Sequence, residues 1–253
     1  MDNAQDKSKL KFGLVGKNIS YSFSRGYFAE KFNSEHLPYT YENIDIQSID
    51  ELLPIIKHTK NLKGLNVTIP YKEAVIPVLD KLNKRAKKIG AVNTIKISKK
   101  GRLKGYNTDY YGFLHSLKPH LKKHHKKALI LGTGGASKAV AYALQKLKID
   151  FHYVSRSNKK GVKFLYSDLN TNIISSHHII INCTPIGTFP NINACPDIPY
   201  EGVTENHILF DLIYNPSESK FLSCGSLKNA TTINGLKMLE LQAEKSWRIW
   251  NKS

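Results

Sequence analysis

The stretch "ALILGTGGASKAVAYALQKLKI" (residues 128–149) has the pattern of a strand, a glycine-rich turn and an amphipathic helix. Its apolar start, 128–131, is typical of a strand buried on both faces of a parallel sheet. A dinucleotide-binding fold holds pyrophosphate at such a turn, because glycines allow close backbone approach and the helix N-terminus favours an anion. The stretch therefore predicts a Rossmann-type domain. The predicted cofactor contacts in the turn are Gly132, Gly134, Gly135 and Ala136.

The turn departs from the full GxGxxG pattern, because Ser137 occupies the third glycine position. The pattern alone is weak evidence, and its position between a strand and a helix strengthens it. The alternative is a glycine-rich connection that binds no ligand.

The next predicted strand, 151–157, indicates which dinucleotide is bound. An NAD site has an acidic residue at the end of this strand for the ribose hydroxyls, whereas this chain has "SRSNKK" (155–160). Arginine can pair bidentately with a phosphate. We therefore predict an NADP site; the alternative is an exposed basic loop. The residues predicted to contact the additional phosphate are Ser155, Arg156, Ser157 and Lys160.

The composition of the 253 residues, with 41% hydrophobic and 23% charged residues, is ordinary for a globular protein. No apolar run is long enough to span a bilayer, and the start "MDNAQDKSKLK" lacks the apolar stretch of a signal peptide. The three cysteines form no CxxC or zinc pattern and fit a reducing cytoplasm. The sequence thus predicts a cytoplasmic protein with no membrane segment and no metal site.

The net charge of +18 raises the question of nucleic-acid binding. The lysines are spread along the chain, and the densest blocks, 83–88 and 118–127, are not interleaved with aromatic residues. We therefore expect a lysine-rich solvated surface that favours anionic small molecules, and no nucleic-acid partner.

Strands and helices alternate along the chain, which predicts an α/β fold. Strands are expected at 11–16, 39–46, 65–69, 91–98, 103–109 and 177–185, and a strand followed by a turn is expected at 207–216. Helices are expected at 24–36, at 49–59 with an interruption at Pro54, in the stretch that ends at about residue 89, at 109–121, at 138–149 and at 234–250. The pattern changes between residues 105 and 125, where we expect the domain boundary.

The stretch "GLNVTIPYKEAV" (64–75) places a lysine just past a predicted strand. Pro70 stops the strand, because proline cannot donate to a sheet ladder. Lys72 follows two residues later, close to Asn66 and Thr68. Surface decoration is one interpretation, and a functional position is the other.

Eight motifs in order resemble those of the shikimate dehydrogenase family of aromatic amino-acid biosynthesis. They are "SYSFS" (20–24), "NVTIPYKE" (66–73), "GAVNT" (90–94), "GYNTDYYG" (105–112), "GTGGAS" (132–137), "INCTPIG" (181–187), "DLIYNP" (211–216) and "NGLKMLELQA" (234–243). The resemblance covers nearly the whole chain. It implies an N-terminal α/β substrate domain, residues 1–108, rejoined by the last helix, 236–253. It also implies a C-terminal Rossmann domain, residues 109–235.

The resemblance further implies the reversible reduction of 3-dehydroshikimate to shikimate by NADPH. Lys72 and Asp109 would be the catalytic pair, with Lys72 as candidate proton donor. A neighbouring carboxylate raises the pKa of a lysine, so the sequence leaves open which of the two carries the proton. Tyr214 and Gly235 would lie near the substrate and the nicotinamide. The residues implied to bind the substrate are Ser22, Ser24, Asn66, Thr68, Asn93, Tyr214 and Gln242.

The chemistry of the substrate agrees with these residue types, because a polyhydroxylated acid needs many neutral hydrogen-bond partners. Taken singly, each residue has a structural alternative; Ser22 or Ser24 could cap a helix that begins near Arg25. Two departures from the family affect this loop: Tyr21 stands in place of histidine and Arg25 in place of proline. Thr188 replaces a usual methionine.

Two other functions remain open. One is a quinate/shikimate dehydrogenase of broader specificity, often using NAD, which Ser24 and the missing acid at 155–160 disfavour. The other is a non-catalytic NADP- or RNA-binding protein, which the Lys72 and Asp109 pair disfavours. The expected partner is a small-molecule substrate, and the expected assembly is a monomer or a homodimer.

Overall fold

The computed structural model describes residues 9–19 and 22–252. The chain divides into two compact units, one formed by Met1–Thr108 with Ala243–Ser253 and the other by Asp109–Gln242. The first division lies between Thr108 and Asp109. The second division lies inside the last helix, between Gln242 and Ala243.

The first unit alternates strands and helices. Its elements are β1 (Lys11–Gly16), α1 (Phe23–Ser34), β2 (Thr40–Asp45), α2 (Leu52–His58), β3 (Leu62–Val67), α3 (Tyr71–Ala74), β4 (Lys81–Leu82), α4 (Lys84–Ile89), β5 (Thr94–Ile97) and β6 (Leu103–Tyr106).

The sheet of the first unit has the order β2-β1-β3-β5-β6-β4. β1 is parallel to β2 and β3, whereas β5 is antiparallel to β3 and β6. The carboxyl ends of β1, β3 and β6 therefore lie at the same edge as the start of β5. Apolar side chains such as Val15, Leu65 and Ile95 are fully buried and form the core beside this sheet.

Two local expectations in the first unit were wrong. β3 ends at Val67 rather than at residue 69, because the Tyr71 N–H donates to Thr68 O in a turn (2.9 Å) and Ile69 is left exposed. Pro54 does not interrupt a helix, since it is the third residue of α2. The first turn of a helix has N–H groups without intrahelical partners, so proline is tolerated there.

The elements of the second unit continue the alternation and lead into the last helix of the chain. They are α5 (Asp109–Leu117), β7 (Lys127–Leu131), α6 (Gly135–Lys146), β8 (Asp150–Ser155), β9 (Val162–Leu165), α7 (Thr171–Ser176), β10 (Ile179–Asn182), β11 (Ile208–Asp211), α8 (Lys220–Ser226), β12 (Thr231–Ile233) and α9 (Leu236–Trp250).

The sheet of the second unit has the order β12-β11-β10-β7-β8-β9, with parallel pairing between all neighbours among the described residues. Numbered within the unit, this is the doubly wound order 6-5-4-1-2-3 of a Rossmann fold. The α/β class and the Rossmann-type domain are confirmed. Ligands bind such sheets outside the carboxyl ends of the strands, at the point between β7 and β10 where the strand order reverses.

Several elements of the second unit differ from expectation. β10 is shorter than predicted, because its last residue, Asn182, accepts a hydrogen bond from the Thr184 backbone N–H and turns the chain. β11 ends at Asp211, which accepts in the same way from the Ile213 backbone N–H, so a turn follows this strand as expected. α6 begins at Gly135, so Ala136 and Ser137 already belong to its first turn. β9, α7, α8 and β12 were not predicted, since such short segments carry little periodicity.

α9 confirms the predicted last helix, and its residues from Ala243 onward belong to the first unit. There the Trp250 indole N–H donates to Ile95 O (3.0 Å), and the Trp250 ring lies 4.9 Å from that of Phe12. Among the described residues, none of the helices combines the length and apolarity that crossing a membrane would require.

Candidate active site

A network of polar side chains occupies the edge of the first sheet where β3 ends and β5 begins. Asn66, 3% exposed, accepts a hydrogen bond at Oδ1 from the Tyr41 hydroxyl (2.8 Å). Its amide donates to Asn93 O (3.2 Å) and to Ser246 Oγ (3.0 Å). The Tyr41 hydroxyl also bonds with the Ser24 side chain, and burial raises the Tyr41 pKa above its usual range. The fold thus brings the predicted residues Ser24, Asn66 and Asn93 together.

Asn93 is held from the other side by the residues that end the β6 segment. Its Oδ1 accepts from the Thr108 backbone N–H (2.6 Å) and from Thr94 Oγ1 (3.0 Å), and its amide donates to Thr108 Oγ1 (2.9 Å). Thr108 is the last residue before the division between the two units, so this network holds the end of the β6 segment in the first unit.

Lys72 is the second residue of α3, directly after the turn that contains Thr68. Its backbone carbonyl accepts a hydrogen bond from the Val92 N–H (2.7 Å), and the Val67 N–H donates to Asn93 O (2.9 Å). Lys72 and Asn93 are therefore held at the same sheet edge by backbone bonds, and the Lys72 side chain is half-buried.

The two predicted serines have different environments. Ser22 is the N-cap of α1, because its Oγ accepts from the Arg25 N–H (3.3 Å). Ser22 therefore caps a helix, which was the structural alternative to a role in substrate binding. Ser24 lies inside α1 and is 8% exposed. Arg25 is exposed on the same helix, and Tyr21 lies outside the described residues.

The other predicted catalytic and substrate residues belong to the second unit. Asp109 is the first residue of α5 and is 5% exposed, in a position where the helix dipole favours a negative charge. Gln242 is buried in α9, and Tyr214 follows β11 and is half-buried. Gly235 precedes α9, and a Cβ there would lie 2.2 Å from Leu212 O, so only glycine fits.

The glycine turn after β7 has the conformation that the sequence predicts. Gly132 has a φ of +102°, which favours glycine, and its N–H donates to Val154 O (2.9 Å). Gly134 is the N-cap of α6, and the space where its Cβ would point is open. The first turn of α6, which includes Gly135 and Ala136, carries no acidic side chain. These features fit a bound pyrophosphate.

The end of β8 presents the predicted cations to solvent. Arg156, Ser157 and Lys160 are exposed, whereas Ser155 is buried and its Oγ accepts from the Ser157 N–H (3.3 Å). An exposed guanidinium at this position, with no carboxylate in the same loop, fits the additional phosphate of NADP better than a free ribose hydroxyl.

The side chains that hold the predicted ones in place belong to none of the predicted site residues. Tyr41 and Ser246 are examples, and only the spacing of Ser246, one helical turn after Gln242, could have indicated it. Among the described residues, no group of three or more histidine, cysteine or acidic residues is arranged to hold a metal ion.

Comparison with known proteins identifies the family of the chain. The model of the shikimate dehydrogenase substrate binding domain matches residues 14–95. The shikimate dehydrogenase (NADP(+)) of Carboxydothermus hydrogenoformans is 37% identical over 94% of this chain and 90% of its own length.

Solved structures show the same fold. Shikimate dehydrogenase from Aquifex aeolicus aligns with a TM-score of 0.86 and 32% identity, covering 99% of this chain and 94% of that chain. Shikimate 5-dehydrogenase from Thermus thermophilus, solved in complex with NADP(H) and shikimate, aligns with a TM-score of 0.85 and 30% identity, covering 96% and 93%. Both the sequence and the fold therefore place this chain in the shikimate dehydrogenase family.

Proposed function

We propose that this chain catalyses the reversible reduction of 3-dehydroshikimate to shikimate with NADPH, a step toward chorismate and the aromatic amino acids. The observation that carries the proposal is the buried network of Ser24, Asn66 and Asn93 at the sheet edge where Lys72 is anchored. Neutral donors and acceptors suit a polyhydroxylated acid, because a buried polar group left unpaired by the wrong ligand is costly. Relatives named for this activity support the proposal.

The substrate carboxylate is bound by Ser22 and Ser24 through their hydroxyls in this proposal. Asn66 offers the substrate chiefly the second lone pair of Oδ1, since its two amide hydrogens have protein acceptors. The ring hydroxyls and the carboxylate find further partners in Thr68, Asn93, Tyr214 and Gln242.

Lys72 and Asp109 carry the acid–base step. Reduction turns a ketone oxygen into an alkoxide, which needs a proton, and the Lys72 ammonium is the donor at Nζ. Asp109 is the partner of Lys72 in this step of the proposal.

NADPH, when bound, supplies the hydride for the ketone carbon. The cofactor is held at its pyrophosphate by the glycine turn and the N-terminus of α6, and at its additional phosphate by the loop after β8. The residues proposed to hold it are Gly132, Gly134, Gly135, Ala136, Ser155, Arg156, Ser157, Lys160 and Gly235.

The test is an initial-rate assay of the purified protein with shikimate or quinate and with NADP or NAD. We expect the oxidation of shikimate with NADP to be the fastest of the four reactions. The absorbance of the NADPH formed measures its rate. Equal rates with quinate would indicate the broader enzyme, and no reaction with any pair would overturn the proposal. We further propose that the protein acts in the cytoplasm and that it is a monomer or a homodimer. Sedimentation of the active enzyme would test its oligomeric state.

A further inference from the structure

Asp211, the last residue of β11, is a fully buried carboxylate that receives three hydrogen bonds. Its Oδ1 accepts from the Asn182 amide (3.1 Å) and from the Ile213 backbone N–H (3.0 Å). Its Oδ2 accepts from the Ser219 hydroxyl (2.5 Å). An ionised carboxylate matches this arrangement, because it is a pure acceptor.

None of the three donors is a cation, so the negative charge of Asp211 is buried among neutral groups. Burial raises the pKa of this carboxyl to about 6, although its hydrogen bonds oppose the rise. The carboxylate is therefore ionised at neutral pH at a cost in desolvation. A buried charge of this kind is a candidate for a functional role.

One set of contacts leads from Asp211 to the glycine turn. Asn182, which Asp211 orients, accepts at Oδ1 from the Thr184 backbone N–H (3.0 Å) and hydroxyl (2.6 Å). The Thr184 Cγ2 methyl is the atom nearest to where a Cβ on Gly132 would lie (3.1 Å). The carboxylate thereby fixes the segment that packs against the start of the cofactor turn.

A second set of contacts leads from Asp211 to the segment before α9. The Ile213 N–H is bound to Asp211, and the Ile213 carbonyl accepts from the Gly235 N–H (2.9 Å). Ser219, which donates to the same carboxylate, lies beside Gly187, with its Cβ 3.8 Å from where a Cβ on Gly187 would lie. One buried charge thus connects the loops that follow β10 and β11.

The position of these loops determines which part of the cofactor they face. Asn182 and Asp211 are register partners on β10 and β11, the fourth and fifth strands of the doubly wound order. A dinucleotide spans the two halves of such a sheet. Arg156, at the end of β8, belongs to the adenosine half, so β10 and β11 carry the nicotinamide half.

We propose that Asp211 is a positioning residue for the nicotinamide half of the cofactor site, acting through Asn182 and Ile213. The proposal rests on the proposed function, since it assigns a role within the same NADP site. Asp211 does not touch the cofactor; it holds the two loops in the arrangement that binds the nicotinamide end.

The test compares two ligands of the apoprotein by calorimetry. NADP⁺ occupies both halves of the site, whereas adenosine 2′,5′-bisphosphate occupies only the adenosine half. In Asp211→Asn, an amide replaces the oxygen that accepts from Ser219, so one charge-assisted bond is lost. We expect the dissociation constant of NADP⁺ to rise about tenfold, the typical effect of one such bond, while that of the bisphosphate stays unchanged.

Ser219→Ala provides a second variant that removes one donor and keeps the charge, and a smaller loss of NADP⁺ affinity is expected. Asp150→Asn, an exposed carboxylate at the start of β8, is the matched control. Thermal unfolding of each apoprotein is recorded alongside.

Unchanged NADP⁺ affinity in Asp211→Asn would overturn the inference. Equal weakening of both ligands, together with a lower melting temperature, would also overturn it, because the residue would then serve the fold of the whole unit. Wild-type protein that binds neither ligand would instead overturn the proposed function and, with it, this inference.

Discussion

The side-chain amide of Asn66 donates a hydrogen bond to Ser246 Oγ at 3.0 Å and so joins β3 to α9 across 180 positions of the chain. Ser246 is fully buried, and its hydroxyl also lies 2.8 Å from Thr94 Oγ1 and 3.1 Å from Thr108 Oγ1. The last helix thus completes the polar network that holds Asn66 and Asn93.

Ser246→Ala should therefore loosen this network. The Asn66 amide loses an acceptor inside the protein, which costs about 1–3 kcal/mol for a buried polar group. We expect the free energy of unfolding in urea to fall by that amount and the Michaelis constant for shikimate to rise, with NADP⁺ affinity unchanged. Ser167→Ala, at an exposed serine, is the control. Wild-type stability and wild-type shikimate binding in Ser246→Ala would contradict the prediction.

Lys72→Ala should lower turnover by roughly 10²–10⁴-fold, the usual contribution of positioned acid–base catalysis. The Michaelis constant for shikimate should change little, because the contribution arises in the transition state. Steady-state kinetics measure both quantities, and Lys99→Ala, an exposed lysine in the 98–102 turn, controls for the loss of charge. A variant with near-normal turnover would exclude Lys72 as the proton donor.

Ser22→Ala and Ser24→Ala should weaken shikimate binding and leave NADP⁺ affinity nearly normal. Each lost hydrogen bond to a charged carboxylate costs about 1.5–3 kcal/mol, as calorimetry measures. Ser22→Ala should also destabilise α1, since an N-cap contributes about 0.5–2 kcal/mol.

Ser22→Asp separates the two roles of Ser22. Aspartate is a good N-cap, so stability is retained, but its charge repels the substrate carboxylate. We expect stability near wild type with shikimate binding weaker than in Ser22→Ala. Unchanged shikimate affinity in both variants would mean that Ser22 only caps the helix.

Arg156→Ala should alter cofactor choice, because guanidinium pairs with the phosphate that NADP carries and NAD lacks. We expect the Michaelis constant for NADP to rise substantially and that for NAD to stay almost unchanged. The preference of the wild-type enzyme for NADP over NAD should also decrease as the salt concentration rises, because salt screens the charge of an exposed arginine. Arg102→Ala, an exposed arginine of the first unit, makes the same change in net charge. If the ratio of the Michaelis constants for NADP and NAD is the same in wild type and in Arg156→Ala, the arginine does not select the cofactor.

Acid should destabilise the second unit through its histidines. His125 and His207 accept backbone N–H groups at Nδ1, from Lys122 (2.8 Å) and Thr204 (3.0 Å). Protonation would place a hydrogen on Nδ1 opposite those donors. Burial lowers the pKa of both histidines below the ordinary value, and burial likewise lowers the pKa of three neighbours: His152, His177 and His178.

A histidine with a lowered pKa in the folded state contributes stability that is present above its unfolded pKa, about 6.5, and is lost as pH falls. Each proton that the unfolded state binds and the folded state does not adds up to about 1.4 kcal/mol per pH unit to the slope of the free energy of unfolding against pH. Asp211 acts in the opposite direction, since its raised pKa favours the folded state as pH falls below about 6. The histidines outnumber it, so the free energy of unfolding should decrease below pH 6.5.

Urea unfolding at several pH values measures this slope. His207→Asn should reduce it, because the asparagine oxygen can accept the Thr204 N–H without titrating. His120→Asn, at an exposed histidine, should leave it unchanged. Stability that is constant between pH 7.5 and 5.5 would contradict the prediction.

The sequence by itself determined the features that are local along the chain. The strand, glycine turn and helix at 127–146 could be predicted, because a buried strand, a turn needing positive φ at Gly132 and an amphipathic helix each leave a contiguous pattern. The cation at Arg156 could be located because it follows the next strand directly. The family motifs supplied the order of the remaining predicted site residues.

Only the tertiary structure decided which side chains satisfy one another. The bonds of Asn66 with Ser246 and of Asp211 with Asn182 join residues 180 and 29 positions apart. Ser22 could be identified as a cap only once α1 was seen to begin after it. Hydrogen bonds require donor and acceptor within about 3 Å and in line. Sheet register and helix packing determine such distances, and the periodicity and composition of a sequence do not.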